Sequence, residues 1–306
     1  MEIIQNTNID FVGKNRLAVI LSLVIIMAGL VSLFVKGGPD YGIDFAGGTL
    51  LQIKFSNPTE TAKIRIALQN IGLGSFTVQQ FGTEADEFLI RAKETKGNLQ
   101  EFSRRVKEAL ETNFGNGKLE VRRAEMVGPQ VGKDLKKKGA MALLYAIIGM
   151  LIYISWRFEF RFAVGAVVAL THDVLVTLGL FSIFSREIDL TSIAAFMTII
   201  GYSLNDTIVI YDRIRENLNT CPNENFSSVV NRSINETLSR TLLTSGTTLL
   251  VVGALFFLGG VIINNFAFAL LVGIIAGTYS SIFVAGALVL FWEKLSPRQV
   301  IEKTSS

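Results

Sequence analysis

Apolar residues fall along this chain in two patterns. In six stretches they run almost unbroken for about the 20 residues that a membrane-spanning helix needs. These are Leu17–Val35, Gly139–Trp156, Phe162–Phe184, Leu190–Tyr211, Leu242–Val261 and Phe266–Trp292. Lys14 and Arg16 precede the first, as in a signal peptide, but its apolar run is too long and no A-x-A site follows, so a retained helix is expected.

Residues 36–138 carry the second pattern, that of a soluble α+β domain. Leu51, Ile53 and Phe55 alternate with Gln52 and Lys54, as in a half-buried strand. Asn57, Pro58 and Glu60 then predict a helix start, with Ile64, Ala67, Leu68 and Ile71 as its apolar stripe. Phe76 and Val78, then Phe88, Ile90 and Ala92, mark two strands around a turn region at Gly82–Asp86. Asn98 and Glu101 predict the cap of a second helix, whose buried face is Leu99, Phe102, Val106, Ala109 and Leu110. Gly115-Asn116-Gly117 ends it, and Leu119 and Val121 open a last strand. The order β-α-β-β-α-β is the ferredoxin-like arrangement, a fold that hosts many unrelated functions.

The organisation expected is therefore a cytoplasmic N-terminus and first span over 1–35 and an extracytoplasmic ferredoxin-like domain over 36–138. A five-helix remainder follows over 139–292, then a cytoplasmic tail over 293–306. Within 213–239, Phe226, Val229, Val230, Ile234 and Leu238 predict an amphipathic connector helix lying at the cytoplasmic interface.

Composition agrees with lipid as a solvent. Half of the 306 residues are hydrophobic and only 18% are charged, which is more apolar material than one soluble core buries. The formal charge of +3 lacks the dense basic clustering of a nucleic-acid binder. One cysteine, Cys221, excludes an internal disulfide framework, and one histidine, His172, excludes a His-rich metal site. No cofactor or metal is expected.

Lys and Arg in the short loops set the orientation. Lys14, Arg16, Arg157, Arg161, Arg213, Arg215, Arg232, Arg240, Lys294, Arg298 and Lys303 share one side, against Arg186 alone on the other. Both termini are thus expected in the cytoplasm. Lys133, Lys136, Lys137 and Lys138 run against the rule, directly before the second span. The run Lys136–Lys138 reads as an anchor near lipid headgroups.

Ionisable residues inside the spans are expensive and point to function. His172 and Asp173 fall mid-way along the third span. Asp206 lies in the fourth, and Thr198, Tyr202, Asn205 and Asp206 recur at helical spacing. Arg240, Thr244, Thr247 and Thr248 share a face at the mouth of the fifth span, so that Asp206 and Arg240 are candidates to pair across the bundle. Two readings follow: a proton or ion relay through Asp206 biased by the fixed charge of Arg240, or a structural ion pair. His172 with Asp173 is either part of such a relay or a satisfied contact between the third and fourth spans. Gly273, Gly277, Ser281 and Ala285 repeat every fourth residue, the spacing of close helix packing. The chain lacks a Walker-type loop, a nucleophile elbow and an H-E-x-x-H motif, so it is not expected to be an enzyme.

The run Gly201-Tyr202-Ser203-Leu204-Asn205-Asp206-Thr207-Ile208-Val209-Ile210-Tyr211-Asp212-Arg213-Ile214-Arg215-Glu216-Asn217 resembles the fourth-span signature of the SecF branch of the SecD/SecF family. Tyr41-Gly42-Ile43-Asp44-Phe45-Ala46-Gly47-Gly48 is similar to the motif that leads into that family's extracytoplasmic domain. His172-Asp173-Val174 and Ser239-Arg240-Thr241-Leu242-Leu243-Thr244-Ser245 resemble its third and fifth spans. The resemblance covers essentially the whole chain. It implies a six-span half of a resistance-nodulation-division-type transporter in the bacterial inner membrane. SecD is the other half, the SecYEG channel and a YajC-type accessory subunit are partners, and a translocating unfolded polypeptide is the cargo. It further implies a step driven by the proton-motive force, with Asp206 and Arg240 as the proton-pathway pair and His172, Asp173, Asn205, Tyr202 and Thr244 as pathway or packing residues. Gly42, Asp44, Gly47 and Gly48 would then be a hinge or a simple turn at the domain's base. Two alternatives stand beside this reading: a non-transporting assembly subunit of the translocon, and small-molecule efflux, for which the domain of roughly 100 residues is too small to form a binding funnel.

Overall fold

The computed structural model describes residues 7–69, 71–73, 75–81, 85–92 and 98–295, the side chains of 261 and 262 excepted. Helix α1 (Asn15–Val35) leads through a four-residue helix α2 (Ile43–Ala46) into β1 (Gly48–Phe55), α3 (Thr61–Gln69), β2 (Phe76–Gln80), β3 (Glu87–Ala92), α4 (Leu99–Phe114) and β4 (Leu119–Val127). Four long helices follow: α5 (Pro129–Arg157), α6 (Phe160–Ile183), α7 (Leu190–Thr220) and α8 (Phe226–Leu258). The last span comprises α9 (Gly260–Ser280), a π-helical turn (Ser281–Ala285) and α10 (Gly286–Leu295). Six helical stretches are long and apolar enough to cross a membrane.

The strands form one antiparallel sheet in the order β2-β3-β1-β4, the ferredoxin-like arrangement. Leu51, Ile53, Phe88 and Ile90 point from the sheet into α3 and α4, where Ile64, Leu68, Phe102, Val106 and Leu110 meet them. The Asn98 side chain accepts from the Glu101 N–H at 2.8 Å and caps α4 as the spacing predicts. Helix α3 starts at Thr61 and not at Pro58, because the Thr59 N–H is held by the Ala85 carbonyl, which keeps 57–60 out of the helix. The predicted turn region at Gly82–Asp86 and the tail residues Arg298 and Lys303 fall partly or wholly outside the described residues.

In the bundle, α6, α7 and the last span bury half or more of their most apolar windows, while α1, α5 and α8 bury under a fifth. The first three make the centre of the bundle and the others its periphery. Glycines set the closest approaches. A Cβ on Gly277 would lie 2.9 Å from the Ser203 Cβ, and one on Gly29 would lie 2.5 Å from the Gly179 Cα. The fourfold small-residue spacing in the last span is therefore packing, with α9 pressed on α7.

In the bundle, two more elements differ from the sequence expectation. The connector predicted over 213–239 is not a separate interfacial helix: α7 runs on to Thr220, and α8 starts at Phe226 and continues into the fifth span without a break. Val229, Val230, Ile234 and Leu238 are buried, three of them in the main bundle core, so the face that looked fit for a lipid surface covers protein. Asn231 and Asn235 on this stretch also bind the backbone of Ile9 and Phe11. The second span likewise starts earlier, at Pro129, so that Lys133, Lys136, Lys137 and Lys138 are helical. They precede its apolar part, and the Lys136 Nζ lies 3.9 Å above the Tyr41 ring.

The domain meets the bundle through the Tyr41–Gly48 segment. The Gly42 N–H donates to the Ile188 carbonyl at 2.9 Å, and the Ile188 N–H donates to that of Asp40 at 2.7 Å. Gly47 (φ +76°) and Gly48 (φ +131°) take left-handed backbone conformations that only glycine adopts readily. A side chain on Gly47 would also come within 3.1 Å of the Pro129 Cα. Arg91 of β3 pairs with Glu187, and Arg186 stacks 4.6 Å from the Phe268 ring while bonding Asn264 and Asn265. Burial at this contact draws the Arg186 pKa below its ordinary value.

Candidate functional site

Two clusters of buried polar residues in the bundle centre on carboxylates, Asp206 and Asp173, and α9 contributes hydroxyls to both. Asp206 projects from α7 and is 2% exposed. Its Oδ2 accepts from the Ser245 Oγ of α8 at 3.1 Å, and the Thr278 Oγ1 of α9 donates to that Ser245 Oγ at 2.8 Å. A carboxylate at this depth has to be met by donors, and the Ser245 hydroxyl supplies one, itself held by Thr278 of the next helix.

Arg240 does not complete an ion pair with Asp206 among the described residues. It is exposed on α8, beside a polar groove of about 600 Å³ lined by Arg157, Asn205, Asp212, Arg213 and Glu236. The helical stripe also divides. Asn205 and Thr198 face outward, Asp206 faces inward, and Tyr202 is half-buried with its hydroxyl donating to the Thr248 Oγ1 at 3.2 Å. The Thr244 hydroxyl is turned onto its own helix, donating to the Arg240 carbonyl at 3.0 Å. An outward polar face on α7 and α8 does not suit hydrocarbon, and protein is its natural cover.

The second cluster centres on Asp173, which is fully buried. Its Oδ2 accepts from the Ser203 Oγ of α7 at 2.5 Å and from the Ser280 Oγ of α9 at 2.8 Å. Its Oδ1 lies 3.0 Å from the His172 Nδ1. The other ring nitrogen, Nε2, lies 3.0 Å from the Ser22 Oγ of α1. Tyr279 stacks on the imidazole, with its hydroxyl 3.2 Å from the Ser22 Oγ and donating to the Ala18 carbonyl. This cluster reaches beyond the third and fourth spans and joins four helices.

Three successive residues of α9 thus serve three partners: Thr278 the Asp206 cluster, Tyr279 helix α1, and Ser280 the carboxylate of Asp173. The π-helical turn begins at the next residue, Ser281. Such turns interrupt the regular i→i−4 ladder and often mark functional places. Sequence reasoning passed over Ser22, Thr278, Tyr279 and Ser280. The available signal was a hydroxyl at a small-residue position in an otherwise apolar span.

The helix that carries Asp206 is also tied to the domain's base. The Asp44 Oδ2 accepts from the Leu190 N–H at 2.9 Å, while Asp189 forms a capping box with Ser192. Asp44 therefore supplements the N-terminal cap of α7.

Comparison with known proteins agrees with this architecture. Residues 106–295 match the family described as "Protein export membrane protein SecD/SecF, C-terminal", and residues 31–59 match the "SecD/SecF GG Motif". The protein translocase subunit SecF of Calditerrivibrio nitroreducens is 48% identical over 302 residues, covering 97% of this chain and 99% of that protein. That of Magnetococcus marinus is 48% identical over 305 residues, covering 99% and 97%. Among solved structures, SecDF of Thermus thermophilus, described as a translocon-associated membrane protein, superposes with a TM-score of 0.84 at 37% identity, over 94% of this chain. SecDF in a super-membrane-facing form gives 0.70 at 37% identity, over 95%. The chain spans 39% of the length of each SecDF chain.

Proposed function

Because the chain belongs to the SecD/SecF family of protein export membrane proteins, with the SecF relatives matching along nearly its whole length, we propose that it uses the proton-motive force together with SecD to assist late-stage polypeptide translocation. It is a multi-pass inner-membrane subunit of the Sec export pathway. On this reading it is a transport subunit and not an enzyme. It works beside the SecYEG channel with a YajC-type accessory subunit and handles an unfolded chain on the extracytoplasmic side. Both termini face the cytoplasm, in accord with the Lys and Arg count of the short loops.

The observation that carries the proposal is the state of Asp206: buried in a spanning helix, bonded to a hydroxyl, and with no ion-pair partner among the described residues. A carboxylate fixed by a direct guanidinium pair is held in one charge state, whereas one met by a serine hydroxyl can exist in either. As carboxylate, Asp206 accepts from Ser245. As carboxylic acid it gains an O–H that needs an acceptor, and the Asn205 amide oxygen and the groove carboxylates of Asp212 and Glu236 lie on the adjacent outward face. A half-transporter places its coupling site against its repeat partner, and this outward polar face of α7 and α8 is where SecD would supply the facing groups. Since α7 also bears the Asp44 cap at its far end, a shift of α7 on protonation reaches the base of the sheet domain through one rigid element.

The test is gradient-dependent release of a presecretory protein from membrane vesicles containing this chain and SecD, comparing wild type with Asp206→Asn at equal abundance. Loss of gradient dependence with the complex intact is the expected result. Release that stays gradient-dependent in Asp206→Asn would make the chain an assembly subunit and Asp206 a packing residue.

A further inference from the structure

We propose that His172 and Asp173 form a proton-holding dyad, a site separate from Asp206 that takes up and releases one proton within the bundle. The argument is one of hydrogen-bond accounting. With a neutral imidazole, Nδ1–H donates to the Asp173 Oδ1 at 3.0 Å and Nε2 accepts from the Ser22 hydroxyl at 3.0 Å. When a proton is added at Nε2, that nitrogen becomes a donor to the Ser22 oxygen, and the Ser22 hydroxyl must turn to a new acceptor. One is in place, the Tyr279 oxygen at 3.2 Å, whose own hydrogen is directed to the Ala18 carbonyl. Every N–H and O–H donor keeps an acceptor in both states without movement of a helix, which lowers the penalty for a buried group to change charge.

The charges also balance. The imidazole and the carboxylate together carry −1, and after protonation they form an imidazolium–carboxylate pair of net charge 0. One Nε2–H bond forms, and one O–H bond of the delivering hydronium ion breaks, leaving water. Asp173 is meanwhile fixed by the Ser203 and Ser280 hydroxyls, so it serves as a stationary counter-charge. The titratable and polar groups facing the dyad are few. Helix α9 presents Tyr279 and Ser280, α1 presents Ser22, and α7 presents Ser203, with Asp206 one turn further along. Among the described residues no Lys or Arg pairs with either member, so nothing holds the dyad in one charge state. A histidine packed only for shape needs no rotatable hydroxyl with a second acceptor behind it.

Export's use of this proton rests on the proton-driven reading above, but the site itself does not. The chain's single histidine makes the test direct. The full chain, labelled with ¹⁵N only in histidine and purified without a histidine tag, is reconstituted with unlabelled SecD. Its imidazole nitrogens are then followed by solid-state NMR from about pH 5 to pH 9. The expected result is conversion of a neutral Nδ1–H imidazole to imidazolium, lost over that range in Asp173→Asn and retained in Asp206→Asn. A single protonation state across the range in the wild type, neutral or cationic, overturns the dyad, and this arm needs no variant to fold. Titration that persists unchanged in Asp173→Asn overturns the role given to Asp173. If His172 titrates while Asp206→Asn leaves release gradient-dependent, the dyad stands and the proposal for Asp206 falls.

Discussion

Phe88, at the centre of the sheet domain, and Asp173, at the centre of the bundle, are both shut away from solvent, yet the forces that keep them there differ. Phe88 lies among Phe55, Ile64, Leu68 and Leu110 and is driven inward by the cost of exposing its ring to water. Asp173 has no such drive. Lipid is as apolar as leucine, so helices in a membrane gain little by hiding apolar surface from it, and close packing with interhelical hydrogen bonds holds them instead. The domain is thus held by volume and the bundle by fit and donors. The second kind of interior leaves room for groups that change charge.

The contrast can be broken by substitution. The largest effect is expected for Phe88→Ala, which opens a cavity in a core made for water and should cost the domain about 3–5 kcal/mol, read by chemical denaturation in detergent micelles. An intermediate loss belongs to the joint between the two regions. Asp44→Ala removes a side-chain acceptor at the start of α7 and should cost about 1 kcal/mol, with faster amide exchange confined to the first turn of that helix. The smallest belongs to the bundle, where Tyr202→Phe deletes one neutral bond to Thr248 and should cost about 0.6 kcal/mol, with unchanged abundance in the membrane. If Tyr202→Phe proved as costly as Phe88→Ala, the distinction between the two interiors would not hold.

The same contrast explains which features were legible in the chain. The sheet domain was readable strand by strand, because water enforces period-two alternation on every half-buried strand and an apolar stripe on each helix. Where a boundary shifted, as at the start of α3, it depends on a carbonyl at Ala85 that local spacing does not reveal. The spans were readable as spans, but their inward faces were not, since lipid-facing and protein-facing positions are equally apolar. Hence the stretch around Val230 and Ile234 suggested a helix lying on lipid, whereas it is buried against protein.

At the candidate site the residue types were evident and the partnerships were not. Asp206, His172 and Asp173 stand out because a titratable group in an apolar run is costly wherever it points. That Asp206 meets Ser245, and that Arg240 stands off in a groove, depends on helix rotation. Serine and threonine occur in spans for several reasons, so nothing local separates Ser280, which bonds Asp173, from Thr171, which bonds only its own helix.

Sequence alone therefore determined the number of spans, the order of strands, the cap at Asn98 and that His172, Asp173 and Asp206 are ionisable residues inside spans, all properties that solvent imposes on a one-dimensional pattern. Only the tertiary structure decided that α8 is one continuous helix, that the glycine-rich segment is seated on the start of α7, and that residues 278–280 touch both carboxylate clusters and α1. Those outcomes depend on how helices turn about their axes and approach across glycines. That choice is made between surfaces of nearly equal hydrophobicity, by contacts far apart in the chain.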